Sequence, residues 1–288
     1  MEKSRFIKKI KKFKKIAIIS HDAGGAEILS SLCGIIKKHK RYFLQGPAIN
    51  IFNKNLRKKI LVDKKENIIS WADLILTSTS VNSDLEKKFI HEGLLRNKTV
   101  ICVLDHWVKY KSRFIFKKKL LKPSEIWTTD KESQILAKKI FKRKIFLLTN
   151  PYIERLKNKK SKKKNNKYLN FVFASDNVDG INKTGYDFKI FKKFLIYFNK
   201  IASSKPKRLF IKTHPSEKSN KYDNIIKLLN IKILKINKNF NIKNFDYVAG
   251  HQSMLIAAGK QLGLKTINIK IKKTEEILLP KKYIDISI

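Results

Sequence analysis

The chain has 288 residues, 42% of them hydrophobic, which supplies apolar material for two domains with real cores and excludes a disordered chain. It carries 66 Lys+Arg against 23 Asp+Glu, a formal charge of +43, so its partners bear phosphates or similar anions unless the bias is compositional. Lys is spread along the whole chain and far outnumbers Arg, and Asn and Ile, which share its A/T-rich codons, are abundant too. Drift in a low-GC genome therefore accounts for the charge better than nucleic-acid binding, for which no stretch of interleaved Arg and aromatic residues is found.

The N-terminal segment 1–14 is basic and sets Phe6, Ile10 and Phe13 at helical spacing. It reads as a solvated arm, with peripheral contact to an anionic membrane as its second use. No apolar run is long enough to span a membrane and no signal peptide opens the chain, so a cytoplasmic protein, at most peripheral at the inner face of the membrane, is expected. Residues 15–20 (KIAIIS) form a buried strand, followed by a glycine turn, His21-Asp22-Ala23-Gly24-Gly25, in which Gly24 and Gly25 let the chain reverse. The turn is not G-x-G-x-x-G, so a dinucleotide cofactor is not expected. A helix carries Ile28, Leu29, Leu32, Ile35 and Ile36 to about His39, and a second strand covers 42–45. Strand 73–77 opens into Ser78-Thr79-Ser80, and Ser83 with Glu86 predicts a capping box for the helix bearing Leu85, Phe89 and Ile90. Strand 99–104 ends in Asp105-His106-Trp107. Strand 125–128, a helix to about Ile140 and a strand at 145–149 close the first half. Cys33 and Cys102 stand singly in apolar runs, the pattern of core residues in a reducing compartment.

Residues 154–167 are almost without apolar side chains and read as a charged linker. Strand 169–174 then ends in Ser175-Asp176, helix 186–201 follows, and strand 208–212 ends in Thr213-His214-Pro215-Ser216-Glu217. Helix 222–229, strand 231–236, strand 246–249 and strand 266–271 complete the pattern. Alternating strands and helices on both sides of a linker predict an α/β protein with parallel sheets, divided as 1–153 and 168–288. Ligands of such sheets bind beyond the carboxyl ends of the strands. Four of the six histidines fall there, His21, His106, His214 and His251. After strand 246–249, the turn Gly250-His251-Gln252-Ser253 opens a helix rich in small residues, an anion nest in which Gly250 permits the turn and Ser253 meets a phosphate oxygen. His251 either lines the site or caps the turn. Asp22 is a candidate proton acceptor or the cap of the following helix; Asp105 is a candidate proton acceptor or a buried anchor of the Trp107 loop. Asp176 and Asp179 are spaced D-x-x-D, a poor metal motif, and no metal site is expected.

Lys212-Thr213-His214-Pro215 after a strand, with a later Gly250-to-Ser253 turn opening a helix, resembles a GT-B glycosyltransferase. The closer likeness is to bacterial capsule and surface-polysaccharide transferases with a His-Pro motif, polysialyltransferase-like and glycerophosphotransferase-like enzymes among them. Asp105-His106-Trp107 is similar to a segment of uncharacterised proteins from polysaccharide gene clusters. The resemblance implies two Rossmann-like domains facing across a cleft (GT-B-like), the acceptor on the first and the nucleotide-sugar donor on the second. It implies metal-independent, cofactor-free transfer of a sugar or sugar-like unit to a glycan or glycolipid acceptor of surface polysaccharide or lipopolysaccharide. Carried over by motif, His214, beside Pro215, contacts the donor phosphate or nucleotide. Ser253, with Gln252 and Gly250, binds phosphate oxygens, and Lys212 adds charge to stabilise the leaving group. An inverting transfer needs a base from the first domain: Asp22 is preferred over Asp105, with His21 and His106 beside them. The chain is short for this fold, has no long C-terminal helix, and lacks the acidic pair of the sialyltransferase pattern. Two alternatives stand beside the transferase. One is a UDP-N-acetylglucosamine 2-epimerase-like enzyme, which calls for more carboxylates at the site. The other is a non-enzymatic basic protein binding nucleic acid or anionic lipid, which a steep salt dependence of binding would reveal.

Overall fold

Short apolar runs become parallel strands in the computed structural model, whose described residues are 2–81, 83–160, 167–176, 185–218, 220–228, 233–235, 240–272 and 278–288. The chain divides into two units, Met1–Glu154 and Arg155–Ile288. Along the first run α1 (Glu2–Ile10), β1 (Lys15–Ser20), α2 (Ala23–Cys33), β2 (His39–Leu44), α3 (Pro47–Leu56), α4 (Lys65–Trp71), β3 (Leu74–Thr77), α5 (Leu85–Leu95), β4 (Thr99–Leu104), α6 (Tyr110–Arg113), the hairpin strands β5 (Ile115–Phe116) and β6 (Lys119–Leu120), β7 (Glu125–Thr128), α7 (Lys131–Phe141) and β8 (Phe146–Leu147), and α8 (Pro151–Asn158) crosses the boundary. The second holds β9 (Leu169–Ala174), α9 (Tyr186–Lys200), β10 (Lys207–Lys212), α10 (Asp223–Leu228), β11 (Ile233–Lys235), β12 (Tyr247–Gly250), α11 (Met254–Gln261), β13 (Lys265–Asn268) and β14 (Ile286–Ser287).

The first sheet runs β2-β1-β3-β4-β7-β8 and the second β11-β10-β9-β12-β13-β14, with every pairing in both parallel. Each sheet winds outward in two directions from its first strand, the doubly wound Rossmann-like plan. Helices cover both faces, so β1, β3 and β4 bury nearly every residue, whereas the edge strand β2 alternates polar and buried positions. The core of the second unit is aromatic, built on Phe171, Phe173, Phe191, Phe194 and Phe198. Cys33 and Cys102 are buried thiols, and burial pushes Cys33 up to about 12.

Two expectations are corrected. Segment 1–14 is not a solvated arm: Phe6 and Ile10 are buried at 0% and 1% exposure, Phe6 meets Trp127 edge-on at 4.9 Å, and Lys9 pairs with Glu125 at 2.5 Å. Phe6 is thus spent on β7, and Ile10 is buried. Phe6→Leu is expected to cost about 1–2 kcal/mol of stability, read by urea unfolding; a solvated arm would show no change. The expected linker start is also helical, since α8 crosses 154–158, while 161–166 lie outside the described residues. Among the described residues, no helix is long and apolar enough to cross a membrane.

Candidate functional site

In doubly wound sheets the crevice forms where strand order reverses, because the loops there leave in opposite directions. In the first unit this point lies between β1 and β3. Ser20 Oγ and Ser78 Oγ, at the two strand ends, are 3.2 Å apart. The first turn of α2 lies directly against them: a Cβ on Gly25 would meet Ser78 Cβ at 2.3 Å. Gly24 and Gly25 are therefore helical residues and not a turn; Gly25 serves close approach.

Asp22 stands at the N-cap of α2 but makes no side-chain cap hydrogen bond. Its Oδ1 instead lies 2.7 Å from His21 Nδ1. Nδ1–H donating to the carboxylate leaves Nε2 of a neutral ring as the proton acceptor, a tautomer assigned from this contact. Gly46, at φ +54°, holds the ring from the other side, and a Cβ there would come within 2.8 Å of Nε2. Beneath the pair sits Glu86, fully buried, whose Oε1 accepts the His21 backbone N–H at 2.8 Å. Ser78 Oγ is 3.5 Å from the same oxygen. Oε2 of Glu86 is buried with no hydrogen-bond partner among the described residues. Burial first, and then the Asp22 charge, pushes Glu86 up to about 7. The expected capping box is absent: Ser83 Oγ accepts from Leu85 N, and Glu86 turns inward. Sequence reasoning missed Glu86 at the site; its one local signal is that it shares the stripe Glu86, Phe89, Ile90, Gly93 that α5 buries.

Asp105 and His106 are engaged elsewhere. Asp105 Oδ1 accepts from Arg113 Nη1 at 3.1 Å, with both side chains buried, and Arg113 also reaches Thr79 Oγ1 at 3.1 Å. A desolvated carboxylate held by a guanidinium is an anchor. His106 Nδ1 accepts the Trp107 backbone N–H, and Trp107 is buried with its indole N–H on the Asp130 carboxylate.

In the second unit the order reverses between β9 and β12. Asp176, just past β9, takes the backbone N–H groups of His251 at 3.2 Å and Gln252 at 2.5 Å, and the Ser253 side chain also bonds to it. Burial pushes Asp176 up to about 6 against these donors. A carboxylate of the chain itself thus takes two donors of the nest expected to hold phosphate. Ser253 Oγ also caps α11 by accepting from Leu255 N at 3.3 Å. His251 is a buried structural residue: Nδ1 donates to the Ile269 carbonyl at 2.7 Å, and the Gln252 amide lies 3.1 Å from Nε2. Gly250 is the last residue of β12 and not a turn, and a Cβ on it would meet the Ala174 carbonyl at 2.8 Å. Lys212 donates to the Thr213 carbonyl at 3.0 Å.

The His-Pro turn after β10 is built separately. Glu217 Oε2 accepts the His214 backbone N–H at 2.8 Å, and Pro215 is exposed. His214 Nδ1 accepts Ser216 N–H at 3.2 Å and lies 2.6 Å from Ser216 Oγ, which leaves Nε2 of a neutral ring carrying the proton. Glu217 also bonds Ser175 Oγ at 2.9 Å and Lys221 at 2.6 Å, and Lys221 pairs with the buried Asp187. Sequence reasoning missed this network, since its members come from the end of β9, the His-Pro turn, the turn before α10 and helix α9. Among the described residues no group of three or more His, Cys, Asp or Glu side chains is placed to hold a metal; Asp179 lies outside the described residues.

No protein-family model and no curated protein sequence matches the chain. Solved structures do. The S. aureus MnaA–UDP complex is 9% identical with a TM-score of 0.65, over 90% of this chain and 80% of that one. The Neisseria meningitidis UDP-GlcNAc 2-epimerase bound to UDP-GlcNAc is 11% identical, TM-score 0.63, over 90% and 83%. The UDP-GlcNAc 2-epimerase of Methanocaldococcus jannaschii is 12% identical, TM-score 0.52, over 90% and 85%. The chain has the GT-B-like fold, two Rossmann-like α/β units. At these identities the likeness speaks for the fold alone.

Proposed function

We propose that the protein is an enzyme of nucleotide-linked sugars, transferring a sugar or sugar-like unit from a nucleotide donor bound by the second unit to a surface-glycan or glycolipid acceptor received by the first. The observation that carries this proposal is the cluster at the β1–β3 strand ends: His21 paired with Asp22 at 2.7 Å above a buried Glu86 raised to about 7. Proton transfer needs an oriented acceptor, and this cluster offers one beside a buried carboxylate. His21 Nε2 takes the acceptor hydroxyl proton; Asp22 holds the ring and stabilises the imidazolium that forms. This reverses the order suggested by the sequence, in which Asp22 was the base with His21 beside it. On the donor side His214 Nε2–H meets the phosphates, while the turn before α11 is closed on the chain's own Asp176. The fold neighbours that hold UDP and UDP-GlcNAc support a nucleotide ligand.

A thermal-shift screen with CMP, CDP, UDP, GDP and their sugars tests the ligand class; no shift from any of them overturns it. In the same assay His214→Ala is expected to weaken nucleotide binding by about tenfold, the loss of one hydrogen bond to a charged group, with unchanged unfolding of the free protein. Unaltered binding would remove His214 from the donor site.

A second reading, 2-epimerisation of a UDP-sugar, is favoured by one observation: Glu86 supplies the further carboxylate beside Asp22 that such proton chemistry calls for. The two separate in D2O. Deuterium entering C2 of UDP-N-acetylglucosamine without an acceptor marks the epimerase; nucleotide release that depends on an acceptor marks the transferase.

A further inference from the structure

A cavity of about 260 Å³ opens in the first unit beyond the end of β2. Its apolar wall is Phe43, Phe89 and Leu85, with the two rings 4.8 Å apart. Its polar wall is Gln45, Ser83, Lys65 and Lys88. The charges do not cancel. Lys65 is paired with Glu92, and Asp84, also at the rim, is paired with Lys87. Lys88 is exposed and has no carboxylate partner among the described residues, so the cavity keeps one cation beside an apolar surface. The cavity opens at the start of α5, an 11-residue helix whose dipole adds to the positive potential.

Two of the three segments that wall the cavity lead to residues that touch His21. Gln45 N donates to the Ser20 carbonyl at 3.2 Å, and Gly46 lies against the imidazole. On the other side Ser83 and Leu85 lead into Glu86, which receives the His21 N–H. Gln45 and Leu85 of the wall each precede by one residue a group that touches His21, Gly46 and Glu86. The volume is below the roughly 300–1,000 Å³ of drug-sized pockets, which fits one sugar-sized or glycerol-sized unit.

We infer that this cavity is the subsite for the second substrate, and that it takes an anionic end group: a phosphate on Lys88 with an apolar or hydroxylated stem against Phe43 and Phe89. The assignment rests on the first unit receiving the acceptor, as proposed above. The shared chemistry is a phosphate monoester, whether carried by a lipid or by a free sugar or glycerol unit.

The test uses the full chain and ligand-observed NMR titrations at fixed moderate salt, because 66 Lys+Arg would attract any phosphate at low salt. The probes are hexyl phosphate, glycerol 3-phosphate and neutral hexyl β-D-glucoside. Hexyl phosphate is expected to bind saturably and at least tenfold more tightly than the glucoside. Lys88→Ala should weaken it about tenfold, while Lys138→Ala, an exposed lysine of α7, should not. Ser83→Trp, which fills the cavity, should abolish binding; if that variant fails to fold, Lys88→Ala carries the test alone. Hexyl phosphate tighter than glycerol 3-phosphate marks a lipid-borne source, and equal affinity marks a free one; both support the subsite. Equal losses from Lys88→Ala and Lys138→Ala would mean surface attraction only and overturn it, as would equal binding of the glucoside. Nucleotide thermal shifts on the same preparation keep the two ideas apart. Shifts without probe binding sink the subsite and leave the nucleotide-sugar function standing; probe binding in the cavity without shifts does the reverse.

Discussion

Asp22→Asn is expected to lower turnover by about 10²–10⁴-fold, the usual contribution of a positioned proton-transfer group, while nucleotide binding stays intact. The reason lies in the His21 ring. With Asp22 Oδ1 2.7 Å from Nδ1, the carboxylate fixes the tautomer and offsets the positive charge of the protonated ring. Asparagine is close to the same size, so the fold survives, but it carries no charge and its amide can donate to Nδ1 as readily as its oxygen can accept. Either change leaves Nε2 a weaker acceptor. His21→Ala should fall at least as far. The assay is nucleotide release from whichever nucleotide sugar stabilises the protein, with the thermal shift by free nucleotide as the binding control. Normal turnover in Asp22→Asn would move the proton acceptor away from this pair, and Asp105 would need re-examination despite its ion pair with Arg113.

Glu86→Gln should raise the stability of the first unit at pH 8 by up to about 3 kcal/mol and change it little near pH 4. In the folded chain Glu86 is raised to about 7 from an ordinary 4.5. Below pH 4.5 both states hold the proton and the residue adds nothing to the pH dependence. Between 4.5 and 7 the unfolded chain gives up its proton while the folded chain keeps it, so wild-type stability falls as pH rises. Above 7 the buried carboxylate is charged and the whole penalty is present. Glutamine cannot ionise, still offers an oxygen to the His21 N–H, and removes the slope. All three tryptophans, Trp71, Trp107 and Trp127, lie in the first unit, so urea unfolding followed by tryptophan fluorescence reports on it selectively. A difference between wild type and variant that stays constant from pH 4.5 to 8 would refute the assignment. A buried carboxylic acid under an oriented His–Asp pair, destabilising at neutral pH, is the arrangement the proposed proton-transfer site calls for.

Reading by period worked where burial is two-sided. Strands at Lys15–Ser20, Thr99–Leu104, Glu125–Thr128 and Leu169–Ala174 have the expected bounds because helices cover both faces of the sheets and the middles of the runs are mostly apolar. It failed where local chemistry competes with packing. Segment 1–14 looks like a solvated arm by charge, yet two apolar residues at i and i+4, Phe6 and Ile10, suffice to dock it. Ser83 and Glu86 satisfy the spacing of a capping box, but the Glu86 carboxylate turns inward and accepts the His21 N–H. Gly24, Gly25 and Gly250 read as turn residues, whereas Gly25 and Gly250 are small because Ser78 and the Ala174 carbonyl lie against them, which depends on neighbours distant in the chain.

By itself the sequence determined the alternation of strand and helix, hence two parallel α/β units, and put His21, Asp22, Asp176, His214, His251 and Ser253 at strand ends, because side-chain period and turn residues are local properties. Only the tertiary structure decided which ends meet. Strand order sets β1 beside β3 and β9 beside β12. That order brings Glu86 under His21, 65 residues away, and closes the His251–Ser253 turn on Asp176, 75 residues away from His251. Contacts of that separation follow from sheet topology and burial and leave no spacing in the chain, so the buried carboxylate under the His21–Asp22 pair becomes visible only once the sheet is wound.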